Sequence, residues 1–248
     1  MTDIDENDRT FNKNLIKSFI LRVDLLPNKN LNLVNIAESM MNNFDRIEKR
    51  QVKNFTVSFT QDKSEVGRGE SFDIVLVSEK HSMSMTFSEV QNSFWIQSSQ
   101  YKNNSVYKGI IKEVIKEISE IDANTNIRRI GLRYVNEFSC DKILNIGRIY
   151  GKRIATIVKA MMREVNQTRV VGVEEYNNEG NKLRLQFGIL NKFYPSIITV
   201  YNLLLDIDSY TEATIAINES EEIISELNHA AYAVFMKEMN TKYLEKLK

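Results

Sequence analysis

The sequence predicts an α+β protein in which a mostly antiparallel sheet carries helices on one face. Two observations lead there. Several short runs alternate apolar and polar residues with the two-residue period of a half-buried strand, as Met83, Met85 and Phe87 do against Ser82, Ser84 and Thr86. Longer runs instead place apolar residues three or four apart, the spacing of an amphipathic helix. Their order reads β-α-β-β-β-β-α and then β-α-β-β-β-α. A duplication of βαβ(3-4)α units is therefore the topological hypothesis, carried by element order and not by any residue-level repeat.

The elements follow in order. Leu15 to Leu26 reads as the first strand, ended by Pro27-Asn28. A helix is expected over about Asn32 to Glu48, with Ile36, Met40, Phe44 and Ile47 on one face and Asn32 as N-cap. Strands are then expected around Phe55, Val57 and Phe59, around Phe72, Ile74 and Leu76, over Met83 to Phe87, and at Phe94 and Ile96. Val106, Ile110, Val114, Ile118 and Ile121 form the stripe of the next helix. The second half opens with a strand from about Arg128 to Phe138 and a basic amphipathic helix within Asp141 to Arg163, its start blurred by Gly147 and Gly151. Two strands flank the turn Asn177 to Asn181, and in the second Leu183, Leu185, Phe187 and Ile189 oppose Lys182, Arg184 and Gln186. A long strand, Ile197 to Asp208, has a continuous apolar middle and so reads as central. A helix from about Glu219 to Leu247 closes the chain, with Asn218 and Glu221 spaced as a capping box.

The chain of 248 residues is long enough for one large domain or two small ones. At this size roughly 75% of the unfolded surface is buried on folding, so neither metal nor disulfide is required. Residues 1–12 read as a disordered acidic tail and 13–248 as a single α+β domain, with 13–122 and 126–248 as candidate pseudo-repeats. The one cysteine, Cys140, can form neither an internal disulfide nor a cysteine-based zinc site, which suits a reducing compartment. Thr2 to Asp8 is acidic and lacks the apolar core of a signal peptide, and no run approaches the roughly 18 apolar residues of a membrane span. A cytoplasmic protein is expected.

Lysine plus arginine and aspartate plus glutamate balance at 33 each, which argues against a dedicated nucleic-acid coat. The balance is uneven along the chain. Asn126 to Arg169 carries ten basic and three acidic residues, and Glu174 to Glu226 carries three basic and ten acidic ones. Mutual compensation across a folded surface is the plainer reading. A basic face for a polyanion or an acidic partner is the sharper one, and Arg148, Lys152, Lys159 and Arg163 on the basic helix would form it.

Catalytic signatures are missing. There is no Gly-x-Ser-x-Gly elbow, Walker loop or His-Glu-x-x-His. The two histidines are His81, in an expected hairpin turn, and His229, on the last helix. Cys140 reads as an inert thiol, and Trp95 with Met40, Met41, Met161 and Met162 as core.

Arg129-Ile130-Gly131-Leu132-Arg133-Tyr134-Val135-Asn136 and the later Leu205-Asp206-Ile207-Asp208 carry a resemblance. They resemble the recurring Arg-x-Gly-Leu-Arg-Tyr-x-Asn and Leu-Asp-Ile-Asp strands of a sporadically distributed family of uncharacterised bacterial proteins of about this length. Leu227, His229, Phe235 and Thr241 on the terminal helix are similarly placed, and the first strand lacks the proline usual before it in that family. The resemblance implies an association with mobile and defence-type gene clusters, and no particular substrate or cofactor. The element order also resembles the saddle-shaped fold of the TATA-binding protein, a likeness of topology that carries no function.

Strand alternation puts Arg129, Gly131 and Arg133 on one face and Ile130, Leu132, Tyr134 and Asn136 on the other. Asp206 and Asp208 likewise share a face. Arg129, Arg133, Asn136, Asp206 and Asp208 are the candidate binding residues. Two arginines beside two aspartates suit an anion or divalent-cation site, and equally a satisfied salt-bridge network that fixes strand register. The expected function is a non-enzymatic interaction or regulatory protein with a protein partner or a second copy of itself, in a bacterial stress or phage-defence system. The alternatives are nucleic-acid or nucleotide binding through the basic 128–169 segment, and a metal-dependent enzyme around Asp206 and Asp208.

Overall fold

In a computed structural model of the chain, β1 (Ile16–Leu25) and β6 (Asn126–Cys140) lie side by side, antiparallel, inside a single ten-stranded sheet. The structure describes residues 15–59, 64–101, 104–163, 167–178, 180–192, 195 and 200–247. The expected acidic tail therefore lies outside the described residues. The remaining strands are β2 (Arg46–Phe59), β3 (Ser64–Ser78), β4 (Met83–Ser88), β5 (Ser93–Ser98), β7 (Val170–Asn178), β8 (Asn181–Leu190), β9 (Tyr201–Thr211) and the short β10 (Ile215–Ala216). The helices are α1 (Leu33–Ser39), α2 (Asn104–Ile121), α3 (Lys152–Met161), α4 (Ser220–Glu238) and α5 (Thr241–Glu245).

The sheet runs β2-β3-β4-β5-β1-β6-β9-β8-β7, every pairing antiparallel, with β10 on β6. Read outward from the β1–β6 seam, the order is the same in both directions: the first strand of each half, then the last of its strands, then the preceding ones. β1 to β5 thus lie on one side of the seam and β6 to β9 on the other.

One face of this sheet carries the helices. Phe19, Leu21 and Val23 of β1, Ile130 and Leu132 of β6, and Leu203, Leu205 and Ile207 of β9 point to it and are essentially inaccessible. Each such side chain contributes about 1.5–3 kcal/mol by leaving water. α4 packs over β6 and β9, α1 over β3 and β4, and α3 over β7 and β8. Where the two halves meet, Phe19 packs against Tyr101, Tyr107 of α2 and Tyr134 of β6, with ring centroids 4.8–5.1 Å apart.

Several boundaries differ from those read in the sequence. The helix expected to Glu48 ends at Ser39; a 3-10 turn follows over Met40–Asn43, and Ile47 already belongs to β2, opposite Leu76. Sheet pairing outweighs helical spacing there. Asn32 does cap α1, its side chain accepting from Asn35 N at 3.0 Å. The buried stripe of α2 is Tyr107, Ile111, Val114, Ile115 and Ile118, rotated so that Ile121 is exposed. The basic segment divides into a 3-10 stretch (Ile143–Arg148) and α3, with Gly151 as the N-cap. The long strand spans Tyr201–Thr211 and is interior to the sheet as expected; its expected start at Ile197 lies outside the described residues. The closing helix breaks at Met239–Asn240, where Met239 pairs with Tyr150 and Asn240 caps α5. At its start the reciprocal contact falls two residues earlier than expected: the Ala216 N–H donates to the Glu219 carboxylate at 3.2 Å.

Candidate functional site

Among the described residues no helix covers the opposite face of the sheet, and strand parity decides what it displays. On β6 that face receives Arg129, Gly131, Arg133 and Val135; on β9 it receives Asp206, Asp208 and Tyr210; on β1, Ile20, Arg22 and Asp24; on β5, Trp95. The two motif strands are direct neighbours, with Arg133 opposite Asp208, Val135 opposite Asp206 and Asn136 opposite Leu205.

Arg133 does not use the aspartate directly across from it. It reaches diagonally to Asp206, with Nε donating to Oδ1 at 2.9 Å and Nη2 to Oδ2 at 2.7 Å. This two-point geometry matches a guanidinium to a carboxylate and holds the arginine more firmly protonated than usual. Asp206 is buried whereas Arg133 is partly in solvent. Asp208 has no such partner: its carboxylate is 3.9 Å from Arg129. Burial raises its pKa above the ordinary aspartate value, against the pull of Arg129 and Arg133.

A second pair of features lies along one row across the strands: Trp95, Arg22, Gly131 and Tyr210 are successive register partners. The Arg22 guanidinium sits over Trp95 at 5.3 Å and is fixed by Asp24 at 2.7 Å and Gln91 at 2.8 Å. The Arg129 guanidinium sits over Tyr210 at 4.7 Å. Gly131 leaves the gap into which Arg129 folds, because a Cβ there would come within 3.3 Å of the Arg129 Nη2. Two cation-on-aromatic units thus flank one glycine at the centre of the face. Farther out, Arg184 on β8 faces Glu175 on β7 at 3.6 Å.

The expected cluster of Arg129, Arg133, Asp206 and Asp208 is therefore brought together, and Asn136 is not part of it. Asn136 lies on the helix-covered side, buried, where its amide donates to the carbonyl of Leu205 at 3.1 Å and that of Tyr134 at 3.3 Å. Trp95 is half-exposed on the open face, not core. Of the methionines read with it, Met40 is buried whereas Met41 is exposed. The alternation of buried Phe94 and Ile96 already implied the opposite direction for Trp95. Arg22 and Tyr210 had the same signal and were missed for want of a partner motif.

As a metal centre the cluster is poorly equipped. Both oxygens of Asp206 are taken by Arg133, and among the described residues no group of three or more histidine, cysteine, aspartate or glutamate side chains is placed to hold an ion. Cys140 is buried; its thiol donates to the Lys142 carbonyl at 3.0 Å, and burial pushes its pKa up. Arg148, Lys152, Lys159 and Arg163 are all exposed, but on the helical side of the molecule. The basic run of the sequence is thus divided between the two sides, Arg129 and Arg133 having gone to the open face. Among the described residues no helix is long and apolar enough to cross a membrane.

Comparison of the chain with protein-family models, with curated proteins and with solved structures finds no match.

Proposed function

We propose that this chain is a non-enzymatic interaction protein and that the helix-free face of its sheet is where another protein docks. The observation that carries the reading is the pair of units Arg22 on Trp95 and Arg129 on Tyr210, set side by side across Gly131. Arginine, tryptophan and tyrosine are the residue types that concentrate binding energy at protein interfaces, because each offers a large flat contact area with a polar edge. The charges on this face are matched locally, Arg133 by Asp206 and Arg22 by Asp24, so it offers little net attraction to a polyanion. Ion pairs already formed within one partner also hold its side chains ready, which lowers the ordering cost of association. The family resemblance adds, as part of the same proposal, the role of a partner or regulatory subunit in a bacterial stress or phage-defence system.

The test is capture from the native host with tagged protein, read by quantitative mass spectrometry against an Arg129→Ala/Tyr210→Ala double variant. One protein retained stoichiometrically by the wild type and lost by the variant, with the variant folded by circular dichroism, is the expected result. A retained partner that ignores the double variant would remove the docking role from this face.

A further inference from the structure

On the helical side the fold assembles a cationic corner larger than the basic segment of the sequence suggests. The 3-10 stretch Ile143–Arg148, the start of α3 and the start of α5 converge through backbone contacts. Gly151 N donates to the Glu238 carbonyl at 2.7 Å, Asn240 N to the Ile149 carbonyl at 2.9 Å, and the Asn240 amide to the Gly147 carbonyl at 2.9 Å. This sets the start of α5, which carries Lys242, next to the 3-10 stretch that ends at Arg148 and the start of α3 at Lys152, and Lys246 directly follows α5. Lys142, Arg148, Lys152, Lys159, Arg163, Lys242 and Lys246 are all exposed, and none of them forms an ion pair among the described residues. Over 141–163 and 239–247 the carboxylates are Asp141, which accepts from Asn145 at 2.8 Å, and Glu245. Arg153, the one cation of α3 that turns inward, is consumed by Glu174 and Glu238. Glu174 and Glu238 therefore compensate Arg153, and neither reaches the outer row.

We infer that this corner binds the phosphate backbone of nucleic acid. Lys152 and Lys159 lie seven residues apart on one side of α3, roughly 10 Å along its axis, a linear track that suits a linear polyanion. The corner offers one strongly exposed apolar side chain, Leu144 at 76%. A surface that lies in a membrane needs a whole apolar face, so a lipid surface fits it less well. Binding is to the backbone and not to bases, since the row presents ammonium groups and the two guanidinium forks of Arg148 and Arg163. This surface is separate from the sheet face, and either reading can fail without the other.

The experiment is fluorescence anisotropy with labelled single-stranded and duplex DNA of about 20 nucleotides, long enough to span the track. With four to six phosphate contacts, affinity falls about 100- to 1000-fold between about 50 and about 200 mM salt. Lys152→Gln/Lys159→Gln lowers the salt slope by about two, and Lys242→Gln/Lys246→Gln lowers it as well, which only a corner shared with α5 predicts. Lys80→Gln, exposed in the turn between β3 and β4, leaves binding unchanged. No binding at the lower salt overturns the inference, as does binding that survives both double variants or is abolished by Lys80→Gln. Phosphatidylserine vesicles that retain the protein while DNA does not would overturn it in favour of a lipid surface.

Discussion

Arg133 on β6 and Asp206 on β9 are joined by two hydrogen bonds, although Asp208, not Asp206, stands directly opposite Arg133 in the sheet. The pair is unequal in its surroundings, with side-chain exposure of 43% for the arginine and 4% for the aspartate.

That inequality sets the order of two substitutions. Arg133→Ala leaves a buried carboxylate without its partner and costs about 3 kcal/mol. Asp206→Ala leaves an arginine that water can solvate and costs about 1–2 kcal/mol. Denaturant unfolding of both variants measures the difference; equal losses would mean the burial asymmetry has no energetic consequence.

Asp208 gives a dependence on pH. Its folded pKa is raised by burial, so the folded protein holds its proton at pH values where the unfolded chain has released it. Its contribution to stability is present below the ordinary aspartate value and is lost as pH rises through the raised one. Glu174, held low chiefly by its hydrogen bond from Arg153, contributes with the opposite sign. The check is therefore a difference: Asp208→Asn against wild type, unfolded at several pH values from about 3 to 7. The variant gains relative stability toward the upper end, and a flat difference would refute the assignment.

Tyr150 meets the sheet where Gly188 of β8 stands opposite Leu204 of β9. Its hydroxyl lies 2.6 Å from the Leu204 carbonyl and 3.0 Å from that of Gly188, and burial holds its proton far above the usual phenol range. Gly188 itself has φ +151°, and a Cβ there would stand 2.0 Å from the Val170 carbonyl oxygen. Tyr150→Phe costs about 1–2 kcal/mol through unsatisfied carbonyls. Gly188→Ala costs on the order of 3 kcal/mol or more, because backbone must shift. Thermal unfolding of the two variants ranks them, and the reverse order would contradict the geometry.

Cys140 reacts with a disulfide reagent only as fast as the protein opens. The thiol is 4% exposed and its pKa is raised, so little thiolate meets solvent in the folded state. Labelling kinetics across mild denaturant should follow the opening equilibrium; fast labelling in its absence would place the sulfur outside the core.

The strand-borne part of this molecule was readable before the structure because parity is a short-range rule. Arg129 and Arg133 had to share a face, and Asn136 had to leave it. What the sequence hid depends on partners distant along the chain. Nothing local ends α4 at Glu238; the break comes from Met239 pairing with Tyr150. Helical spacing carried past Ser39 gave no warning that Ile47 would be claimed by Leu76. The candidate site was legible in its charges and not in its aromatics, since Trp95 and Tyr210 gain meaning only when Arg22 and Arg129 are brought over them.

The β1–β6 seam also has a history in time. Among the described strands β1 is made first, and both of its neighbours come late: β5 after two hairpins have been threaded, β6 only once the second half has begun. A nascent chain on the ribosome therefore carries the apolar side of β1, with Phe19, Leu21 and Val23, uncovered while the rest is synthesised. Long-range pairing of this kind slows folding and leaves sticky intermediates. Production of this protein should accordingly depend more on chaperone supply and growth temperature than its finished core would suggest.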